Sequence, residues 1–220
     1  MKKESLILLD TNICIYRTLA YVQPRIYRDE LEKVVNKINT LTNNNFQCKF
    51  VISDLIISEL KDDGILFWEI KNFCVTRLYK PYESLRIFGQ AKKSIGKFIL
   101  SYGIKEDLSE NIQEYHLNLA AIDQFYLKFP VKLQNLTKLK ISDMTPRQKQ
   151  AKISQRPNDL PEETDRRLLG QAIEIKKIHH SDVYIFSNDG DFTEFSSEIP
   201  VEFNINILGI EDAVPSCATL

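Results

Sequence analysis

Three short apolar runs punctuate the chain, Leu6-Ile7-Leu8-Leu9, Phe50-Val51-Ile52 and Val183-Tyr184-Ile185-Phe186, and Asn206-Ile207-Leu208 is expected to form a fourth strand. Runs without polar alternation suit strands buried on both faces, as in a parallel sheet. Between them apolar residues recur every three or four positions, which predicts helices. One runs from Arg28 to Leu41 on Leu31, Val34, Val35 and Ile38, and Asn43-Asn44-Asn45 breaks it. Ser53 is an N-cap candidate for a helix carrying Leu55, Ile56, Glu59 and Leu60. Tyr82 to Leu100 and Ser109 to Phe129 are helical in texture. Pro161 and Thr164 open a strong helix with Leu168, Leu169, Ala172, Ile173 and Ile178 on one side. Residues 130–158 are polar, rich in Gln and Lys and interrupted by Pro146 and Pro157, which predicts an exposed segment. Strand and helix alternate at both ends, so the expected fold is α/β, a mainly parallel sheet flanked by helices. The whole chain, residues 1–220, reads as one domain, with a helical and basic insertion over about 75–157.

Ligands of open parallel sheets bind at the carboxyl ends of the strands, and acids collect there. Asp10 ends the first run, Asp189 and Asp191 follow the third, and Glu59 lies two turns into the helix after the second. Asp165 falls in the first turn of the late helix and can reach the same edge. Crowded carboxylates repel and lose hydration unless a cation neutralises them. Hard oxygen donors suit Mg²⁺ or Mn²⁺, ions that lower the pKa of water and stabilise charge on a phosphate. Phosphodiester hydrolysis fits that donor set. Each acid alone has a plainer reading. Asp10 is also a helix cap, Glu59 a solvated helix residue, Asp165 a dipole partner and Asn188-Asp189-Gly190-Asp191 a turn. Only their order and context together favour a site. Asp159, Glu162 and Glu163 compete with Asp165.

Composition narrows this further. Hydrophobic residues make up 43% and charged residues 27%, which excludes a wholly disordered chain. Four cysteines without a CxxC pair or a close histidine argue against structural zinc. No GxxxxGK[ST] or GxGxxG occurs among seven glycines. The first apolar run is too short for a signal-peptide core or a membrane span, so a cytoplasmic protein without membrane contact is expected. The net charge of −1 excludes a uniformly basic nucleic-acid coat. It conceals an asymmetry. Residues 132–156 hold seven basic residues against Asp143, a local charge of +6. Within that stretch Lys138, Lys140, Arg147, Lys149 and Lys152 are candidate phosphate contacts. Tyr79, Tyr82 and Tyr102 are candidates for stacking bases. Residues 85–100 add Arg86, Lys92, Lys93 and Lys97 without an acid, and a solvated polar face is the alternative for each basic block.

The acidic pattern resembles the PIN-domain nucleases, including the toxin ribonucleases of bacterial toxin–antitoxin pairs. Leu8-Leu9-Asp10-Thr11-Asn12 matches that family's opening strand and Asp-Thr-Asn. Ile57-Ser58-Glu59-Leu60 matches its second acid, and Asp165 with Leu168, Leu169 and Ala172 its third. Ser187-Asn188-Asp189-Gly190-Asp191-Phe192 matches its last motif. The likeness covers roughly residues 5–62 and 158–210. It implies that Asp10, Glu59, Asp165 and Asp189 hold one or two Mg²⁺ or Mn²⁺ ions, with Asp191 a further ligand or an orienting acid. Asn12 and Ser187 would position the carboxylates. It also implies hydrolysis of RNA, ahead of single-stranded DNA, by direct attack of water. A protein inhibitor and a second copy of the chain are its implied partners, and a toxin or defence role its implied setting. The departure is in the middle, where 106 residues separate Glu59 from Asp165, about twice the usual distance in the small toxins.

Two rival readings remain. Haloacid-dehalogenase-type phosphatases also place an Asp after the first strand, but want a second Asp two residues on, where Asn12 stands. A non-catalytic nucleic-acid-binding module on the same fold is the other.

Overall fold

The computed structural model describes residues 4–22, 29–43, 48–76, 81–102, 112–142 and 144–213. Strand β1 (Ser5–Leu9) is buried along its whole length. It lies between β2 (Cys48–Val51) and β3 (Val183–Phe186), and β4 (Asn206–Leu208) completes the sheet beyond β3 in the order β2-β1-β3-β4. All three pairings are parallel. Leu8 faces Val51 on one side and Ile185 on the other. An all-parallel sheet has helices on both faces, which is why β1 contains no polar alternation.

The connections are helical. Helix α1 (Thr11–Val22) leaves β1 directly, and α2 (Asp29–Asn43) leads into β2. Helices α3 (Asp54–Lys61), α4 (Asp63–Thr76), α5 (Pro81–Tyr102) and α6 (Ile112–Leu127) follow. Then come α7 (Pro130–Ile141), α8 (Pro146–Ser154) and α9 (Glu163–His179). The short α10 (Gly190–Thr193) and α11 (Glu198–Phe203) separate β3 from β4. Helix α1 packs on α2 and α5, while α6 packs on α9, which in turn covers β3. One continuous core runs from Ile7 and Leu8 through Ile122 and Phe125 to Leu169 and Phe186. Among the described residues no helix is long and apolar enough to cross a membrane.

Local chemistry explains the boundaries that matter. Ser53 caps α3, its Oγ accepting from the Ile56 amide at 3.4 Å. Asp54 in the first turn and Lys61 in the last complement the helix dipole. Helix α9 carries Glu163 and Asp165 in its first turn and Lys176, Lys177 and His179 in its last. Its acidic end therefore belongs at the amino terminus on electrostatic grounds alone.

Residues 130–158 depart from expectation. They form two helices and a 3-10 turn over Pro157–Asp159, and part of the segment is core. Leu133, Leu136, Thr137 and Arg156 are buried. Leu133 and Leu136 make a stripe only one residue wide, which the surrounding Lys and Gln hide in the sequence. The aromatic layer beneath comes from distant positions. Tyr126 meets Phe195 edge to face at 4.9 Å, and Phe125 meets Phe203 at 5.1 Å. The turn itself is left-handed at Asn158 (φ 56°) and Asp159 (φ 60°), residue types that tolerate that region. Tyr79 and the rings of Tyr82 and Tyr102 lie outside the described residues, as do Arg28, residues 109–111 and Asp143.

Replacing Ser53 with Ala removes the α3 cap and lowers stability by about 1 kcal/mol. A shifted urea midpoint with an unchanged slope checks this.

Candidate active site

The carboxyl edge of the sheet is fixed by backbone bonds that continue the ladder one residue past each strand. The Asp10 amide donates to the Phe186 carbonyl at 3.1 Å, and the Ser187 amide to the Leu208 carbonyl at 3.1 Å. Asp10 and Ser187 are thereby held on neighbouring strands, and their side chains meet. Asp10 Oδ2 accepts from Ser187 Oγ and from Asn12 Nδ2, each at 2.5 Å. Its Oδ1 accepts from the Thr11 amide at 2.6 Å. Asn12 Oδ1 accepts from the Asn188 amide at 3.1 Å, so this one side chain links the two strand-end loops. Glu59 joins from α3 through a hydroxyl, Thr11 Oγ1 donating to its Oε2 at 2.5 Å.

A second group of acids adjoins the first. Ser187 Oγ also accepts from the Asp189 amide at 2.9 Å. Asp189 caps α10 by accepting from the Asp191 amide at 2.8 Å. Asp165 enters from the first turn of α9. Carboxylate oxygens of Asp165, Asp189 and Asp191 lie within 4.8 Å of one another.

Two cations from the insertion reach into this group. Arg156, fully buried, forks onto Asp191, NH1 to Oδ2 at 2.5 Å and NH2 to Oδ1 at 2.9 Å. Its remaining donors serve Thr137 Oγ1 at 3.1 Å and the Asp159 carbonyl at 3.2 Å. The left-handed turn at Asn158 and Asp159 presents that carbonyl. Lys140 Nζ lies 2.6 Å from Asp189 Oδ1 and 2.7 Å from Asp191 Oδ2. The Tyr126 hydroxyl donates to the Asp191 carbonyl at 2.9 Å.

These surroundings push the acids in opposite directions. Burial raises Asp10 from its ordinary 3.8 to about 7. The Ser187 and Thr11 bonds oppose the rise, and the charges of Asp189 and Glu59 add to it. Burial and the neighbouring Asp189 also raise Asp165 well above the usual carboxylate range, against the pull of Lys140. Burial acts upward on Asp191 too, but the Arg156 bonds and the Lys140 charge outweigh it and hold that carboxyl below its usual value. Lys140 loses some basicity to burial and regains more from Asp189, Asp191 and Asp165, so its ammonium is firmly charged.

The predicted acids therefore sit on one edge, but in two arrangements. Asp165, Asp189 and Asp191 form the close triad. Asp10 is linked to Asp189 through Ser187, and Glu59 to the Asp10 loop through Thr11. The competing acids are used otherwise. Glu162 pairs with Lys152, and Glu163 is exposed at 3.8 Å from Arg167. The basic stretch is divided. Lys140 and Lys152 are committed to ion pairs, whereas Lys138, Arg147 and Lys149 make none among the described residues. Hydrophobic periodicity carries no signal for Arg156 as a site residue, nor for the Thr11 hydroxyl as the carrier of Glu59.

Arg156→Met removes the bidentate partner of a buried carboxylate and leaves it Lys140 alone, so it costs about 3 kcal/mol of unfolding free energy in denaturant titrations. Asp10 gives a pH signature. Its folded pKa lies above its unfolded value, so the folded state binds the extra proton and metal-free stability falls as pH rises from 3.8 towards about 7. Asp10→Asn abolishes that term. Its stability relative to wild type improves by on the order of 3 kcal/mol from pH 4 to pH 8, measured in chelator. No family model, no curated protein and no solved structure matches this chain.

Proposed function

We propose that this protein is a metal-dependent nuclease of the PIN type that hydrolyses phosphodiester bonds in RNA. The observation that carries the reading is the convergence of Asp10, Asp165, Asp189 and Asp191 at the carboxyl edge of a parallel sheet, with Glu59 attached through Thr11. The donor set fits a hard divalent cation. It offers carboxylate oxygens, three of them mutually within 4.8 Å, and a cationic ammonium already stands among them. Asp165 and Asp189 would hold Mg²⁺ or Mn²⁺, with Asp10 and Glu59 beside them. Bound there, the ion supplies Lewis-acid stabilisation of a phosphoryl oxygen and favours ionisation of water.

The chain's own residues divide the remaining work. Ser187 and Asn12 orient the Asp10 carboxylate, and Thr11 orients Glu59. Asp191 has both oxygens engaged by Arg156, so it acts as an anchor for the α10 turn that presents Asp189. Asp10, its oxygens held by Ser187, Asn12 and Thr11, would lend its negative charge to the same ion. Lys138, Arg147 and Lys149 are the basic side chains left to contact a phosphate backbone.

One observation favours a second reading. Lys140 neutralises Asp189 directly, so the edge is also consistent with a metal-free scaffold that binds nucleic acid without cleaving it.

Labelled RNA and single-stranded DNA, incubated with Mg²⁺, Mn²⁺ or chelator, separate the two. Cleavage requires metal and is lost in Asp10→Asn with the fold intact, while Ser187→Ala costs about 10–100-fold. Equal cleavage by wild type and Asp10→Asn sinks the assignment, and binding without cleavage selects the scaffold. Replacing Lys138, Arg147 and Lys149 together with Ala flattens the slope of log affinity against log salt by about 2 for single strands.

A further inference from the structure

Lys140 and Arg156 both come from the insertion and both reach the acids, yet they are held differently. The Arg156 guanidinium makes four hydrogen bonds, to both oxygens of Asp191, the Thr137 hydroxyl and the Asp159 carbonyl. A planar fork docked in this way has one geometry. Lys140 is a point charge on a flexible four-carbon stem. It stands in the last turn of α7, two residues from the exposed Lys138, which among the described residues bonds only to Gln134, at 3.3 Å. Its side chain is nevertheless only 17% exposed. Asp191 keeps its guanidinium with or without Lys140. Asp189 does not have that reserve, because Lys140 is its sole ion-pair partner among the described residues.

We propose that Lys140 and a divalent metal compete for Asp189, so that the insertion sets the metal affinity of the site. The inference rests on the metal-dependent reading above. The ammonium sits against Asp189 Oδ1, inside the triad from which Asp165 and Asp189 would supply the metal donors. Two cations cannot share one carboxylate oxygen at contact without strong repulsion, and at a buried site salt screens that repulsion weakly. Lys140 has a retreat that Arg156 lacks. Its second contact, Asp191 Oδ2, is a separate carboxylate, so the ammonium can leave Asp189 and remain paired. The triad then exchanges one cation for another, and its charge is compensated in both states. A helix of the insertion thus supplies the cation that keeps the acids together before metal arrives, and that cation raises the metal concentration needed to displace it.

The test uses the full chain and the metal alone. Calorimetric titration with Mn²⁺ and Mg²⁺ compares wild type with Lys140→Met, which keeps the stem and removes the charge, and with Lys138→Met as a control for net charge. Lys140→Met binds roughly 10-fold tighter, within the usual range for coupled equilibria, and Lys138→Met matches wild type. Because Lys140→Met leaves Asp189 uncompensated and can impair folding, a second measurement uses the wild-type protein. Acetylation of Lys140, followed by mass spectrometry, is slow in chelator and accelerates when Mg²⁺ saturates the site, while Lys138 reacts at one rate throughout. Equal metal affinities with unchanged Lys140 labelling overturn the competition and leave the metal-dependent reading standing. Absence of metal binding in wild type and both variants overturns both.

Discussion

A carboxylate without solvent contact must be paired or neutral, and Asp191 is paired. Its bidentate bond with buried Arg156 joins the end of the insertion to the loop after β3, positions 35 residues apart in the chain. Much of the edge depends on that bond. It fixes the α10 turn whose first residues present Asp189, and it places the Pro157–Asp159 turn that leads into α9 and Asp165. A lysine could supply the charge but not the fork, so the geometry as well as the neutralisation depends on arginine.

Around that anchor the acids fall into two environments. Asp10 is surrounded by neutral donors, the Ser187 hydroxyl, the Asn12 amide and the Thr11 backbone, which satisfy its oxygens without cancelling its charge. Burial therefore prevails and the group is raised to about 7. Asp191 is surrounded by cations and is held low. Neighbouring carboxyls are thus driven in opposite directions by their partners, neutral donors in one case and cations in the other. Parallel topology makes this achievable, because β1 and β3 end side by side and their last residues share a ladder.

The insertion has a different character from that expected of a basic surface. Seven basic residues in 25 suggest phosphate contacts, yet Arg156 and Lys140 turn inward to the acids, Lys152 pairs with Glu162, and Lys132 pairs with Glu198 at 2.8 Å. The near-zero net charge of the chain is thus partly a local balance, made by bringing the +6 segment onto the acidic edge. What stays exposed is a narrower set of charges on α7 and α8.

The sheet was legible in the sequence because uninterrupted apolar runs have one common cause, burial on both faces, and such runs mark β1, β3 and the end of β2, whereas the edge strand β4 opens on the half-buried Asn206 and Ile207. The acids at the strand ends were legible for a related reason. A charged residue directly after a buried run has to emerge at the sheet edge, and in a parallel sheet those edges coincide. Helix boundaries at Ser53 and near Thr164 followed from capping and dipole chemistry, which act within one turn. The cation partners were not legible. Nothing local distinguishes Arg156 and Lys140 from Arg147 and Lys149, since each sits in the same polar texture. Only the docking of α7 and the left-handed turn after α8 decided which charges meet the acids and which meet water. Periodicity records which face of an element is buried. It carries no information about which two side chains, 35 or 51 residues apart, share a hydrogen bond.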